Sequence, residues 1–102
     1  MVEPLTIEVA DGPNGCVITL RGAFDIASAE RFETFLSGLD VRRDVAVDLR
    51  GLTFMDSTGI RFLLKMNDQV LAAGRRLTIV PGCPAVQRVF TLAGIQDRLP
   101  IA

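Results

Sequence analysis

Apolar and polar positions alternate with a period of two at the start of the chain. Leu5, Ile7 and Val9 interleave with Thr6 and Glu8, the pattern of a half-buried strand. The cluster Asp11-Gly12-Pro13-Asn14-Gly15 predicts a hairpin-type turn into a second strand over 16–21. There Cys16, Ile18 and Leu20 share one face, and Val17, Thr19 and Arg21 the other. The period then changes. Ala29, Phe32, Leu36 and Leu39 recur at helical spacing, predicting a helix over 28–39 with Ser28 as its cap. Alternation returns over 45–50, with Val45, Val47 and Leu49 set against Ala46, Asp48 and Arg50. After a connecting loop over 51–56, the longest helix starts at Asp56 or Ser57 and runs to about Ala73, where Gly74 ends it. A fourth strand over 76–80 is broken by Pro81-Gly82-Cys83-Pro84. A last helix over 84–93 has Pro at its first position and Gly94 after its end, and residues 95–102 leave space for one further turn.

The alternation predicts the architecture. Strands covered by helices on both faces read as unbroken apolar runs, whereas strands covered on one face alternate. Glu8, Thr19, Arg21, Asp48 and Arg50 all fall on the non-core face, so the helices belong on one side of the sheet. Right-handed parallel crossovers on one side lay each new strand beyond the last. The expected fold is a single α/β domain over 1–102: a mixed four-stranded sheet in the order 1-2-3-4, strand 1 antiparallel, with three to four helices on one face. Plain solvation is the simplest role for the polar sheet face.

On a helical wheel that takes Ile60 as zero, Ile60, Leu63, Leu64, Val70 and Leu71 cluster about the core direction, and Asn67 points into the same sector. There Asn67 is expected to satisfy a buried backbone group rather than a ligand. Phe62 and Met66 fall on the flank, which predicts either an apolar contact patch or cover by a neighbouring helix.

Composition narrows the chemistry. Of 102 residues 49% are apolar, yet no run approaches the roughly 20 needed to span a bilayer, and the N-terminus lacks the features of a secretory leader. A soluble cytoplasmic protein with no membrane partner is expected. A net charge of −1, with six Phe and no Tyr or Trp, offers neither a basic footprint nor many stacking platforms for nucleic acid. Cys16 and Cys83 are far apart and form no CxxC, which reads as two ordinary buried thiols in a reduced compartment. The chain has no His, which removes Ser-His-Asp and Cys-His sites and the commonest nitrogen ligand of zinc. Phosphate loops of the GxxxxGK[ST] and GxGxxG types are absent too. Lys65 lies eight residues past Ser57, about two helical turns, too far for an easy Ser-Lys dyad. These observations predict no self-contained catalysis, no metal and no cofactor.

One stretch remains, Phe54-Met55-Asp56-Ser57-Thr58-Gly59-Ile60. Any of its three polar side chains could cap the following helix, but one cap uses one side chain and leaves a hydroxyl free. The helix start exposes unpaired N–H groups and a positive dipole end. Strand 2 ends in Gly22-Ala23-Phe24-Asp25 at the same sheet edge, so Asp25 and the Asp56-Ser57 pair are expected on one rim, where open α/β sheets meet their ligands. Leu52, Phe54 and Met55 add apolar bulk that either buries under the helix or meets a partner. Spacing alone favours a cap over a functional site.

The residues themselves carry more. The run from Val47 to Ile60, VDLRGLTFMDSTGI, resembles the signature of STAS domains, specifically of the anti-sigma factor antagonists. Residues 22–25 are similar to that family's second motif and residues 86–94 to its C-terminal helix, so the resemblance covers the whole chain. Two positions depart from it: Ala23 stands where an acidic residue is common, and Arg61 where a Gly often follows the apolar residue.

The resemblance implies a (β-α)n superhelix of the STAS type and a phosphorylation switch. Ser57 matches the serine that a cognate anti-sigma factor, itself a serine kinase, phosphorylates. Unphosphorylated, such an antagonist binds the anti-sigma factor and frees a sigma factor for transcription; phosphorylated, it lets go until a serine phosphatase resets it. ATP and Mg²⁺ belong to the kinase. Asp25, Asp56, Thr58, Gly59, Arg61, Phe62 and Met66 are the expected partner-binding residues around Ser57. The alternatives are a STAS interaction module that is never phosphorylated, as in a transport or signalling assembly, and a small enzyme or nucleotide binder.

Overall fold

A computed structural model describes residues 3–101 of the chain. The hairpin comes first: β1 (Thr6–Gly12) pairs antiparallel with β2 (Gly15–Phe24) across the two-residue turn Pro13-Asn14. A 3-10 turn (Ile26–Ser28) leads into α1 (Ala29–Gly38), followed by β3 (Val45–Met55), α2 (Ser57–Ala72), β4 (Leu77–Val80), α3 (Pro84–Ala93) and a second 3-10 turn (Gln96–Arg98). The sheet order is β1-β2-β3-β4, with β2, β3 and β4 mutually parallel. Topology, strand directions and the hairpin agree with the sequence expectation, and α3 with its left-handed Gly94 cap (φ 67°) agrees to the residue.

One face of the sheet forms the core. Ile18, Leu20, Val45, Val47, Leu49, Leu77 and Ile79 are buried beneath the helices. On the opposite face Val17, Thr19, Ala46 and Asp48 are half-exposed and Arg21, Arg50 and Thr78 exposed, as strands covered on one side require. The chain closes the outer edge of β4 by an isolated bridge: the Ile79 amide donates to the Pro100 carbonyl at 2.9 Å, and Ile101 pairs beside it. The final residue of the expected tail, Ala102, lies outside the described residues.

Strand 3 departs from the sequence reading. It does not end near Arg50 but continues to Met55, so residues 51–55 are strand rather than loop. Thr19 pairs with Asp48 and Arg21 with Gly51; Gly22 then pairs with Leu52 and Ala23 with Phe54. Each shift adds one residue to β3 and turns its face over, so burial steps from Leu49 to Leu52 to Met55. A period of three is invisible to a search for a period of two.

The face that α2 buries is the second correction. Phe62 (8% exposed) and Met66 (0%) are inside, while Leu71 is 54% exposed and Asn67 half-exposed. The core direction is rotated by roughly a quarter turn from the one that Ile60 suggested. The cause is α1, which lies beside α2 and brings Phe32 to within 5.3 Å of Phe62, ring centre to ring centre. Phe24 from β2 completes the cluster at 4.7 Å from Phe32 and 6.2 Å from Phe62. The amide that satisfies a backbone group on this helix belongs to Gln69, whose Nε2 donates to the Leu36 carbonyl at 2.9 Å, not to Asn67.

Candidate functional site

β2 and β3 end side by side, Phe24 paired with Met55, and the Asp56 amide donates to the Phe24 carbonyl at 3.2 Å. This bond fixes the start of α2 against the end of β2 and places Asp25 and Asp56-Ser57 on one rim. Asp25 is held from the other side. Its amide donates to Ser28 Oγ at 3.0 Å, and that hydroxyl reaches back to the Asp25 carbonyl at 2.9 Å. Ser28 is therefore a buried clasp for the turn after β2 rather than the side-chain cap of α1.

At the helix start the polar residues divide their tasks. Asp56 is the N-cap: its Oδ1 accepts the Thr58 amide at 2.8 Å, and its carbonyl accepts the Gly59 amide at 3.1 Å. Thr58 is buried (6% exposed), as is Gly59. A Cβ on Gly59 would collide with Met55 Cγ and come within 2.8 Å of its Sδ, so the first turn sits directly on the end of β3. Between the cap and these buried neighbours Ser57 is exposed, and its hydroxyl makes no hydrogen bond among the described residues.

Of the expected partner-binding residues, Asp25, Asp56 and Arg61 reach the surface of this rim or the turn beside it, the two Asp half-exposed and Arg61 exposed like Ser57, the expected phosphorylation site. Thr58, Gly59, Phe62 and Met66 do not. They pack inward, and the apolar patch expected at Phe62 and Met66 is core instead. Two other large apolar side chains near the rim are exposed instead: Ile26, 77% exposed in the turn after Asp25, and Phe54, 47% exposed on β3. Ile26 carried a usable signal, an apolar side chain inside a short turn beside Asp25. For Phe54 the question of burial or contact resolves by the bulges, which bury Leu52 and Met55 and turn Phe54 outward.

The arrangement offers a free hydroxyl at a positive helix end, with two carboxylates and two apolar side chains nearby. Among the described residues neither carboxylate nor any other side chain hydrogen-bonds the Ser57 hydroxyl. Groups of three or more His, Cys, Asp or Glu that could hold a metal ion are absent among the described residues. Cys16 and Cys83 are unpaired and half-buried, and burial with the nearby Asp11 pushes the Cys16 thiol pKa up, away from nucleophilic chemistry. No helix among the described residues is long and apolar enough to cross a membrane.

A family model described as "Mlab, STAS domain" matches residues 7–101. The anti-sigma F factor antagonist of Lysinibacillus sphaericus is 31% identical over 83 residues, 78% of this chain and 70% of its own length. Among solved structures, an anti-sigma factor antagonist from Mycobacterium paratuberculosis superposes with a TM-score of 0.78 at 19% identity, covering 96% of this chain and 85% of that one. The anti-sigma factor antagonist SpoIIAA in its unphosphorylated form gives a TM-score of 0.72 at 21% identity, covering 95% and 88%.

Proposed function

The chain belongs to the STAS domain family, among the anti-sigma factor antagonists, and from that premise we propose that it is a partner switch set by phosphorylation of Ser57. Unmodified, it binds an anti-sigma factor that is also a serine kinase, through the rim formed by Asp25, Asp56, Ser57 and Arg61. Phosphorylated on Ser57, it releases that partner, and the sigma factor is recaptured. A separate serine phosphatase resets the switch.

The observation that supports this reading most is the division of labour at the helix start: Asp56 takes the cap, and Ser57 is left exposed with its hydroxyl free. A residue needed for folding would be engaged. An acceptor must be reachable by a kinase, and the fold must tolerate its change in charge. A hydroxyl that no side chain engages suits a substrate, because the kinase brings ATP, Mg²⁺ and the base.

The test is capture from a lysate of the source organism by the immobilised unmodified protein, followed by addition of Mg²⁺ and ATP. The expected result is a captured protein that transfers phosphate to Ser57, located by peptide mass, and leaves the resin as it does so. Capture of transporter or signalling subunits that never modify Ser57 would instead support the unphosphorylated interaction module.

A further inference from the structure

The two edges of the sheet are treated differently. The outer edge of β4 is closed by residues 100–101, whereas among the described residues nothing pairs with the outer edge of β1. On the neighbouring strand, the Cys16 amide donates to the Asp44 carbonyl at 2.9 Å, away from β1. Alternation along an antiparallel pair then fixes the rest: Cys16, Ile18 and Leu20 turn their amides toward β3, and their β1 partners Asp11, Val9 and Ile7 direct theirs outward. The same three residues present their side chains to the helix side of the sheet. Yet α1 does not cover them, for Val9 is 52% exposed and Ile7 half-exposed. Beneath the strand lie two hollows, one between Ile7 and Phe35, the other of about 290 Å³ among Val9, Leu39 and Val41. An open strand edge thus lies directly beside an incompletely covered apolar groove.

We propose that this edge is a homodimer interface, in which β1 of a second copy pairs antiparallel with β1 about a two-fold axis at Val9. Self-pairing is the occupant that the residues select. Centring on Val9 brings all seven residues of β1 into register, with Val9 opposite Val9 of the second copy, Ile7 opposite its Asp11 and Glu8 opposite its Ala10. No like charges meet. A shift that uses the same outward amides but centres on Glu8 would set Glu8 against Glu8, which is disfavoured. Both ends of the groove carry charge of both signs, Glu30 and Arg31 beside Ile7 and Asp11, Asp40, Arg42 and Arg43 beside Val9, and the two-fold axis sets each end against the other. Seven residues of strand pairing fall short of the roughly 1,200 Å² that a stable interface buries. Closure of the groove over Ile7, Val9, Phe35 and Leu39 adds apolar area to that pairing, in a continuous eight-stranded sheet. Ser57 follows β3, two strands away from this seam, so the dimer leaves Ser57 of both copies open.

Light scattering on a size-exclusion column, run from about 1 to 200 µM protein, measures the mass directly. The expected result is a concentration-dependent dimer of the natural chain. Val9→Lys, at an exposed position, is expected to be monomeric over the same range with an unchanged circular dichroism spectrum. A monomer at every concentration of the natural chain overturns the proposal, as does a dimer that persists in folded Val9→Lys. A second measurement does not rely on that variant. With Cys16 and Cys83 replaced by Ala, Val9→Cys is expected to oxidise to a disulfide-linked dimer, because residues directly opposite in a hydrogen-bonded pair lie about 5.5 Å apart. Glu8→Cys is expected not to, being two residues out of register with its own copy. Equal cross-linking at both positions, or at neither, overturns the register.

Discussion

Asp56 Oδ1 accepts the amide of Thr58 at 2.8 Å, and this one bond passes over Ser57. The cap thus occupies Asp56 and leaves the neighbouring Ser57 hydroxyl out of it. Asp56 belongs to the fold. Asp56→Ala is expected to lose a helix cap worth about 1 kcal/mol, lowering the thermal midpoint of a domain this size by roughly 4–8 °C. Asp56→Asn, which keeps an acceptor oxygen, is expected to recover most of that loss in the same thermal scan.

Gly59 is fixed by close approach, since its φ is not in the left-handed region. Its missing Cβ leaves space for Met55, itself 3% exposed, with Phe24 Cδ2 3.3 Å from the position such an atom would take. Gly59→Ala overpacks a buried seam between α2, β3 and β2. The expected cost is about 1–3 kcal/mol, read as a lower urea midpoint with an unchanged slope.

Phe62 tests the corrected account of α2. As part of a surface patch, its truncation would be nearly silent in stability. As one of three rings shared with Phe24 and Phe32, Phe62→Ala is expected to destabilise the domain by about 3–5 kcal/mol. A fully folded variant within 1 °C of the natural midpoint would restore the patch reading.

The contrast between these residues explains what the sequence could and could not disclose. Strand order was legible because Cys16 to Arg21 and Val45 to Arg50 alternate cleanly, and one-sided cover follows from that alternation. The rim was legible too, since two neighbouring parallel strands, expected over 16–21 and 45–50, bring the segments that follow them, with Asp25 and Asp56, to one edge. Past Arg50 the reading failed because two bulges replace the period of two, and a bulge has no apolar signature of its own. The buried face of α2 failed for another reason. Apolar residues occupy more than half of that helix's circumference, so periodicity leaves its direction open, and a neighbour distant in sequence, Phe32 on α1, decides it.

The strand that leads to the site carries a pH-sensitive pair on its open face. Arg50 Nη2 lies 2.8 Å from Asp48 Oδ2, and its Nε is 3.0 Å from Oδ1. The hydrogen bonds from the Arg50 guanidinium hold the Asp48 carboxyl below its ordinary value of 3.8. A carboxylate whose pKa is depressed on folding stabilises above its unfolded pKa, and loses that contribution as pH falls through the folded one. Stability is therefore expected to decline as pH drops below about 4. The Arg50 side chain is 74% exposed, so solvent screening keeps the pair's contribution small. Asp48→Asn is expected to remove this part of the acid dependence while changing little at pH 7. An acid limb identical in Asp48→Asn and natural protein would place the titration elsewhere.

Phosphorylation of Ser57 would add about −1.5 to −2 charges at an exposed helix start. The helix dipole favours that charge by roughly 0.3–1 kcal/mol, and the half-exposed Asp25 and Asp56 oppose it by a comparable screened amount. The fold is expected to register almost nothing, so Ser57→Asp should keep its thermal midpoint within a few degrees. A partner that closes over the rim meets a different situation, because it must strip water from the phosphate without groups built to pair it. A penalty of about 3 kcal/mol weakens binding more than a hundredfold. Ser57→Ala is expected to bind the anti-sigma factor as the unmodified protein does and to stay bound in the presence of ATP. Thr58→Ala is expected still to accept phosphate at Ser57, since Thr58 is buried in the first turn and only its amide serves the cap. Titration calorimetry with unmodified, phosphorylated and Ser57→Ala protein measures the difference directly. Tight binding by the phosphorylated form, or phosphate mapped to Thr58, would end this account of the switch.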